Sequence, residues 1–230
     1  LFGPKSRDLL KTLSKDNFEN DQFRFGFAKF ITIDEVKIWT QRLSYVGELG
    51  YELYVDLKDA KKIYELLIEK GKDFNLCNCG MHAMDIMRME SGFLHWGHDI
   101  SPEENQYQAG LAFTISNKKD VDFIGKQALE KIKQDKIKTR FSMFTLKESK
   151  PGKPLLLHDE PIYDGEKIIG RSTSGNYSFN FKKNLVFGYI NNDLSNEELQ
   201  NKNLFIEVEK KKYPIEIINK PLKQTNFKNN

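Results

Sequence analysis

The second half of the sequence constrains the fold most, because it consists of short strand-like runs separated by turn residues. Turns are predicted at Asp164-Gly165 and at Ser174-Gly175-Asn176. The runs cover residues 141–146, 155–157, 161–163, 167–173, 185–190, 204–208 and 213–218. Many short strands at this spacing indicate a small antiparallel barrel or sandwich. A lysine-rich stretch over residues 131–138 precedes them and marks the predicted domain boundary.

The first part of the chain has helical periodicity instead. Residues 59–70 and 80–91 predict two amphipathic helices. Shorter helices are predicted over residues 7–13, from the Ser-Pro-Glu-Glu sequence at 101–104, and over residues 122–132. The buried stripe of the helix at 80–91 is predicted to contain Met81, Ala83, Met84 and Met87. We therefore predict an α+β fold, with a first domain over residues 1–134 and a C-terminal antiparallel β-barrel domain over residues 135–230.

Composition and charge exclude several classes of function. Of the 230 residues, 39% are hydrophobic, which fits a folded globular protein. The 36 basic and 33 acidic side chains give a net charge of +3, which is too balanced for an electrostatic nucleic-acid binder. No apolar run reaches the roughly 18 residues that cross a membrane. The motifs of P-loop, nucleophile-elbow and dinucleotide-binding enzymes do not occur.

Cysteine usage indicates the compartment. The chain has two cysteines, Cys77 and Cys79, separated by one residue. A disulfide between them could not stabilise a fold of this size. We therefore expect a reducing compartment, either the cytoplasm or, in a eukaryote, the mitochondrial matrix.

A pair of histidines raises the question of a metal site. His95 and His98 lie near Asp99 on a loop that contains glycine, and Cys79 is the nearest thiol. This spacing, without a Cys-x-x-Cys partner, is weak support for zinc. A hydrogen-bonded structural histidine beside Trp96 is the favoured interpretation, and we assign no metal ligand.

One carboxylate of the first domain lies in an aromatic setting. Residues 42–55 contain two strand-like runs around a break at 47–50, where Gly47 and Gly50 permit a tight hairpin. Alternation along the second strand places Glu52 and Tyr54 on one face. A carboxylate can accept two parallel N–H bonds from the amino-substituted edge of a pterin or a guanine. The alternative is an edge-strand glutamate that points at water.

The sequence Tyr-Val-Gly-Glu-Leu-Gly-Tyr-Glu-Leu at 45–53 resembles the hairpin of the glycine-cleavage T-protein (aminomethyltransferase) superfamily. Further ordered blocks at 3–7, 87–92, 122–128, 170–178 and 185–190 extend the resemblance over nearly the whole chain. The resemblance implies that Glu52 binds the pterin ring of tetrahydrofolate and that Tyr45 lines the same pocket. It adds Phe93 and Trp96 as cofactor-binding aromatic residues, although core packing explains Phe93 equally well.

Departures from the T-protein pattern indicate which subgroup of the superfamily the sequence resembles. Met84 stands where the free-standing T-protein has a folate-contacting arginine. An apolar residue is usual there in the folate domains fused behind flavin-dependent sarcosine and dimethylglycine dehydrogenases. The Trp-Gly-His-Asp sequence at 96–99 also resembles this dehydrogenase-linked type. His82 replaces an arginine that is common in those relatives.

The resemblance implies tetrahydrofolate-dependent transfer of a one-carbon (aminomethyl or methylene) unit from a small N-methyl amine. N5 of tetrahydrofolate would attack an iminium and give 5,10-methylenetetrahydrofolate. The family's catalytic aspartate lies upstream of the position of Gly3, so no catalytic residue is named. We therefore expect a C-terminal part of a larger protein, inactive alone, with FAD only in an N-terminal flavoprotein domain.

Two alternatives remain within the same fold. One is a non-catalytic folate-binding protein of the iron–sulfur assembly type, although the Lys-Gly-Cys-Tyr signature of that group is not found. The other is a folate-dependent demethylase, whose discriminating residues would lie upstream.

Overall fold

The computed structural model describes residues 1–116, 122–135, 137–193 and 195–224. Its helices are α1 Ser6–Leu13, α2 Leu57–Gly71, α3 Met81–Glu90, α4 Lys126–Gln134 and α5 Asn196–Gln200. Its strands are β1 Ala28–Ile33, β2 Val36–Gln41, β3 Glu52–Tyr54, β4 Thr139–Leu146, β5 Pro161–Asp164, β6 Lys167–Ser178, β7 Lys183–Asn191, β8 Leu204–Val208 and β9 Lys211–Ile218. The predicted α+β class is confirmed.

Internal packing divides the chain into two compact units. The first comprises Leu1–Phe93 together with Lys223, and the second comprises Leu94–Leu222. The domain boundary that the sequence placed after residue 134 stays a prediction. No helix in the described ranges is long and apolar enough to cross a membrane.

The first unit is built on an antiparallel sheet with the strand order β1-β2-β3. Alternating burial along β1 and β2 directs one face of this sheet into a core, and α1 and α2 pack against each other. The core residues are Leu10, Phe18, Phe23, Ile31, Ile33, Ile38, Leu49, Tyr51 and Ile63. This core fixes β3, the strand that carries Glu52.

The predicted tight hairpin over residues 42–55 is wrong in its first strand. Glu52 pairs with Gln41 of β2, so the connection between the paired strands spans residues 42–51. Within it, Gly50 forms a bridge with Phe2, and the Gly3 amide donates to the Leu49 carbonyl at 2.8 Å. Burial of residues 46, 47, 49 and 50 explains the difference, because packing of this loop outweighs its local turn preference.

Four of the five helices predicted in the first part of the chain are present, with ends that differ by a few residues. In α3, Met81 is 66% exposed and Ala83, Met84 and Met87 are only half-buried, so the predicted buried stripe is wrong. The buried apolar side chains of this helix are Ile86 and Met89. The helix predicted to open at Ser101 is a turn. There the Ser101 amide and hydroxyl donate to the Glu104 carboxylate at 2.8 and 2.6 Å, and this local closure forms without a following helix.

The second unit contains a closed antiparallel barrel with the strand order β4-β7-β6-β5-β8-β9, which confirms the barrel over a sandwich. Residues 155–157 are not a strand, and the turn predicted at 174–176 is wrong because β6 continues through Ser178. A Cβ added to Gly175 would lie 2.4 Å from Leu156 Cβ. Leu156 is therefore buried against a β6 glycine, whereas Leu155 and Leu157 are 64% and 58% exposed. The core consists of Phe144, Leu146, Leu156, Ile162, Val186, Ile190, Leu199, Leu204, Ile206, Val208, Ile215 and Ile217.

Candidate functional site

The carboxylate of Glu52 lies half-buried at the start of β3. Its Oε2 atom accepts a hydrogen bond of 2.8 Å from the hydroxyl of Tyr54, two residues along the same strand face. This bond, together with the carboxylate charge, raises the pKa of the Tyr54 hydroxyl. The phenol therefore stays a hydrogen-bond donor and holds one oxygen of the carboxylate in place. Alternation in the sequence placed the two residues on one face but did not assign a role to Tyr54.

Two of the predicted aromatic residues stack on each other. The rings of Tyr45 and Phe93 have centroids 6.5 Å apart and planes inclined by 12°. This separation is in the range for offset stacking. Both residues are half-buried, so part of each side chain is accessible. The prediction that they share a pocket with a pterin remains a prediction.

A buried arginine fixes the position of Phe93. Arg88 near the end of α3 is 1% exposed, and its guanidinium donates to Asp85 Oδ1 at 2.7 and 2.9 Å. It also donates to the Phe93 carbonyl at 3.1 Å, while the Phe93 amide donates to the Arg88 carbonyl at 2.9 Å. The chain therefore leaves α3 along one path, and the Phe93 ring is set against Tyr45.

The loop between β2 and β3 is held from a distant part of the sequence. Glu48 forms an ion pair with Lys223, whose backbone amide donates to the Glu90 carbonyl at 2.8 Å. The Ser44 hydroxyl accepts a hydrogen bond of 3.0 Å from the Glu48 amide. No sequence pattern could reveal the contact of Glu48 with a lysine 175 residues away.

The opposite face of β3 borders a cavity of about 620 Å³ in the first unit. Leu53 and Val55 line it, and so does Met84, the residue at which the resemblance departs from a folate-contacting arginine. Neither Glu52 nor Tyr45 is among the described residues of its lining. The walls are largely apolar, with Cys77, Asn78 and Cys79 at one side. The carboxylate and this cavity thus lie on different faces of β3.

In the second unit, the loop that carries Trp96 is fixed by a buried carboxylate. Asp99 is fully buried, and it accepts hydrogen bonds from the hydroxyls of Thr173 and Ser174 at 2.5 and 2.8 Å. Its other oxygen accepts from the His95 amide at 2.9 Å. Trp96 is 66% exposed on this loop, so its ring is available to a ligand or a partner surface.

The histidines of this loop lie close to each other. The ring centroids of His95 and His98 are 4.6 Å apart, and that of His158 is 6.5 Å from His98. Across the described ranges, no group of three or more His, Cys, Asp or Glu side chains could hold a metal ion. We assign no metal to this loop.

Tyr189 is expected to make the free energy of unfolding depend on pH under alkaline conditions. Its hydroxyl donates to the Asp99 carbonyl at 2.8 Å, and burial, reinforced by the charges of Glu104 and Asp99, raises the pKa of Tyr189 far above its usual 10.0. Above about pH 10 the unfolded chain therefore loses this proton while the folded chain keeps it, so stability falls as the pH rises. We expect urea unfolding of the unsubstituted chain to weaken more steeply above that pH than unfolding of Tyr189→Phe. Parallel pH profiles of the two proteins would contradict this assignment.

Comparison with known proteins places these features in a family. The GCVT N-terminal domain matches residues 1–119, and the glycine cleavage T-protein C-terminal barrel domain matches residues 140–223. Mitochondrial dimethylglycine dehydrogenase of Homo sapiens is 34% identical over 220 residues, which cover 96% of this chain and 25% of that protein. The 4-methylaminobutanoate oxidase (formaldehyde-forming) of Paenarthrobacter nicotinovorans is 39% identical over 177 residues, covering 77% of this chain and 21% of that protein.

Shorter relatives match over a larger share of their length. An aminomethyltransferase of Alkaliphilus metalliredigens is 32% identical over 228 residues, which cover 99% of this chain and 60% of that protein. The crystal structure of aminomethyltransferase T from Bartonella henselae superposes with a TM-score of 0.73 at 21% identity, covering 88% of this chain and 53% of that chain. This similarity establishes the shared fold. The chain spans about a quarter of the length of the dimethylglycine dehydrogenases that it matches. From the two family matches, the chain belongs to the glycine cleavage T-protein (GCVT) family.

Proposed function

We propose that this chain supplies a pterin-binding part of a tetrahydrofolate-dependent one-carbon transferase. The observation that carries the proposal is the Glu52 carboxylate, which Tyr54 holds on the face of β3 that points away from the apolar cavity. Membership of a family that includes aminomethyltransferases supports a transferase activity. The stacked rings of Tyr45 and Phe93 add an aromatic pair in the same unit.

The chemistry of Glu52 fits the edge of a pterin. A carboxylate offers about four lone-pair sites, and Tyr54 occupies one of them. The remaining sites can accept the exocyclic amino group and the adjacent ring N–H as two parallel bonds. Because Tyr54 fixes one oxygen, the carboxylate loses little rotational freedom when the pterin binds.

The contribution of this chain to the reaction is binding and orientation. Tetrahydrofolate supplies the nitrogen that accepts the one-carbon unit. Glu52 fixes the rotation of the pterin in its plane, and Tyr45 and Phe93 restrict one side of the ring. Such positioning converts the encounter of two reactants into a reaction within one complex. Trp96 lies in the second unit, and its assignment as a cofactor-binding residue stays a prediction.

We propose a small N-methyl amine as the one-carbon donor. Relatives named dimethylglycine dehydrogenase, sarcosine dehydrogenase and 4-methylaminobutanoate oxidase support this substrate class. FAD would then bind to a separate upstream flavoprotein domain of the full-length protein. The transfer reaction requires that full-length protein, because the relatives extend well beyond the matched segment.

Replacement of Glu52 by glutamine tests the proposed contact. We expect tetrahydrofolate to bind about 5- to 150-fold more weakly, because a hydrogen-bonded charge is replaced by an amide whose NH2 group opposes the pterin donors. The measurement is calorimetric titration of tetrahydrofolate into the protein at its full natural length. Tyr54→Phe keeps the charge and removes only its anchor, so a smaller loss is expected.

Glu65→Gln is the matched control, because Glu65 is an exposed glutamate on α2 that forms an i,i+4 ion pair with Lys61. It removes one carboxylate of the same unit, and its affinity for tetrahydrofolate should equal that of the unsubstituted protein. Equal affinities for Glu52→Gln and Glu65→Gln would remove the role assigned to Glu52.

A further inference from the structure

The two cysteines of the chain lie side by side in space. Cys77 and Cys79 flank Asn78 in the segment between α2 and α3, and their Sγ atoms are 4.0 Å apart. Both are exposed free thiols. The sequence contains no other cysteine, so every thiol reaction of this chain reports on this pair.

The segment allows the sulfur atoms to approach each other. A disulfide requires a separation of about 2.05 Å, so the two atoms must move together by roughly 2 Å. Within the described part of the chain, no backbone hydrogen bond ties residues 77–79 to another segment. Torsional adjustment can therefore close the pair without breaking backbone hydrogen bonds.

The middle residue and the start of the segment are anchored. The Asn78 side-chain amide donates to the Tyr64 hydroxyl of α2 at 2.7 Å, and the Leu76 amide donates to the Gly71 carbonyl at 2.9 Å. These bonds limit the conformations of the segment, so the two thiols spend more time close together than in an unfolded chain.

The surroundings distinguish the two thiols. Both border the apolar cavity of about 620 Å³, and partial burial together with the neighbouring Cys77 sulfur raises the pKa of the Cys79 thiol. Because the thiolate is the nucleophile, Cys79 is the poorer first attacker. This favours Cys77 for the first step and Cys79 for the second.

We propose that Cys77 and Cys79 form a reversible dithiol–disulfide site that reacts with hydroperoxides. The Cys77 thiolate attacks the O–O bond of hydrogen peroxide, takes one oxygen as a sulfenic acid, and the other oxygen leaves as water after protonation. The Cys79 sulfur then attacks the Cys77 sulfur, the S–S bond forms, and the hydroxyl leaves as a second water. Two thiols and one peroxide thus give one disulfide and two waters. A thiol reductant reverses the oxidation.

The test begins with stoichiometric hydrogen peroxide added to the fully reduced chain. We expect the intact mass to fall by two hydrogen atoms, titratable thiols to fall from two to none, and no disulfide-linked chains to form. Cys77→Ser and Cys79→Ser each keep one thiol, so they should gain oxygen or form adducts and never show that loss of two hydrogens. Oxygen adducts on both cysteines of the unsubstituted chain, or disulfides between chains, would overturn the proposal.

A second measurement tests whether the fold, rather than the short spacing in sequence, favours disulfide formation between Cys77 and Cys79. The chain is equilibrated with reduced and oxidised glutathione in native buffer and in urea. We expect the ratio of disulfide to dithiol to be at least about tenfold higher in the native protein, because the anchored segment raises the effective thiol concentration. Asn78→Ala, which removes the anchor to Tyr64, should shift the native ratio towards the urea value. Equal ratios in native buffer and urea would show that the fold contributes nothing.

Discussion

Replacement of Arg88 by methionine is expected to lower the free energy of unfolding by about 3 kcal/mol. Arg88 is almost completely buried and donates to both Asp85 and the Phe93 carbonyl. Removal of one partner of a buried ion pair costs roughly 3–5 kcal/mol because the other charge stays without compensation. Asp85 retains 28% side-chain exposure and regains some water, so the lower end of this range applies. Urea denaturation measures the change.

The same substitution is expected to loosen the stacked aromatic pair. Arg88 fixes the Phe93 backbone, and Phe93 packs against Tyr45, so tetrahydrofolate affinity should fall together with stability. Lys61→Met is the matched control, because Lys61 pairs with Glu65 across 3.8 Å on an exposed helix surface. Exposed pairs contribute little to stability. If Arg88→Met unfolds at the same urea concentration as Lys61→Met, the buried pair has no structural role.

Asp99→Ala is expected to lower the free energy of unfolding of the second unit by about 3–4 kcal/mol. The fully buried carboxylate accepts three hydrogen bonds, from Thr173, Ser174 and the His95 amide. A hydrogen bond to a charged group contributes about 1.5–3 kcal/mol, although the two hydroxyls can rotate towards other acceptors. The half-buried His95 amide loses the side-chain oxygen that accepts its hydrogen bond. Thermal unfolding monitored by tryptophan fluorescence, with Trp96 on the same loop, reports the loss.

Asp99→Asn separates the loss of hydrogen bonds from the loss of side-chain volume. Its amide oxygen can still accept from Thr173 and Ser174, but its NH2 group then faces the His95 N–H, which is also a donor. We expect a loss of about 2 kcal/mol, smaller than that of Asp99→Ala. The opposite order of the two variants, or no loss in either, would contradict the proposed function of Asp99 in holding the loop.

The regular elements were predictable because they follow local pattern. The apolar stripe through Ile63 predicted α2, and turn residues with short apolar runs predicted all six barrel strands. The errors arise where tertiary packing decides. In the run at 155–157 only Leu156 is buried, where it packs against Gly175. The loop at 42–51 follows its own burial and its contacts near the start of the chain. Neither contact has a period that a sequence pattern could show.

The candidate site was predictable only in part for the same reason. Strand alternation placed Glu52 and Tyr54 on one face, and the hydrogen bond between them matches that placement. The buried roles of Arg88 and Asp99 were not predicted, because burial of a charge depends on partners that lie apart in sequence. Thr173 and Ser174 lie more than 70 residues from Asp99. The contact between Tyr54 and Glu52 was predictable because the two residues are only two positions apart on one strand.

The central claim, that the Glu52 carboxylate binds a reduced pterin, is tested most directly by a crystal structure of the full-length protein with tetrahydrofolate. We expect the exocyclic amino group and the adjacent ring N–H to lie at hydrogen-bond distance from the two carboxylate oxygens of Glu52, with the ring beside Tyr45. A pterin bound elsewhere, with Glu52 still bonded to Tyr54 and otherwise hydrated, would contradict the account.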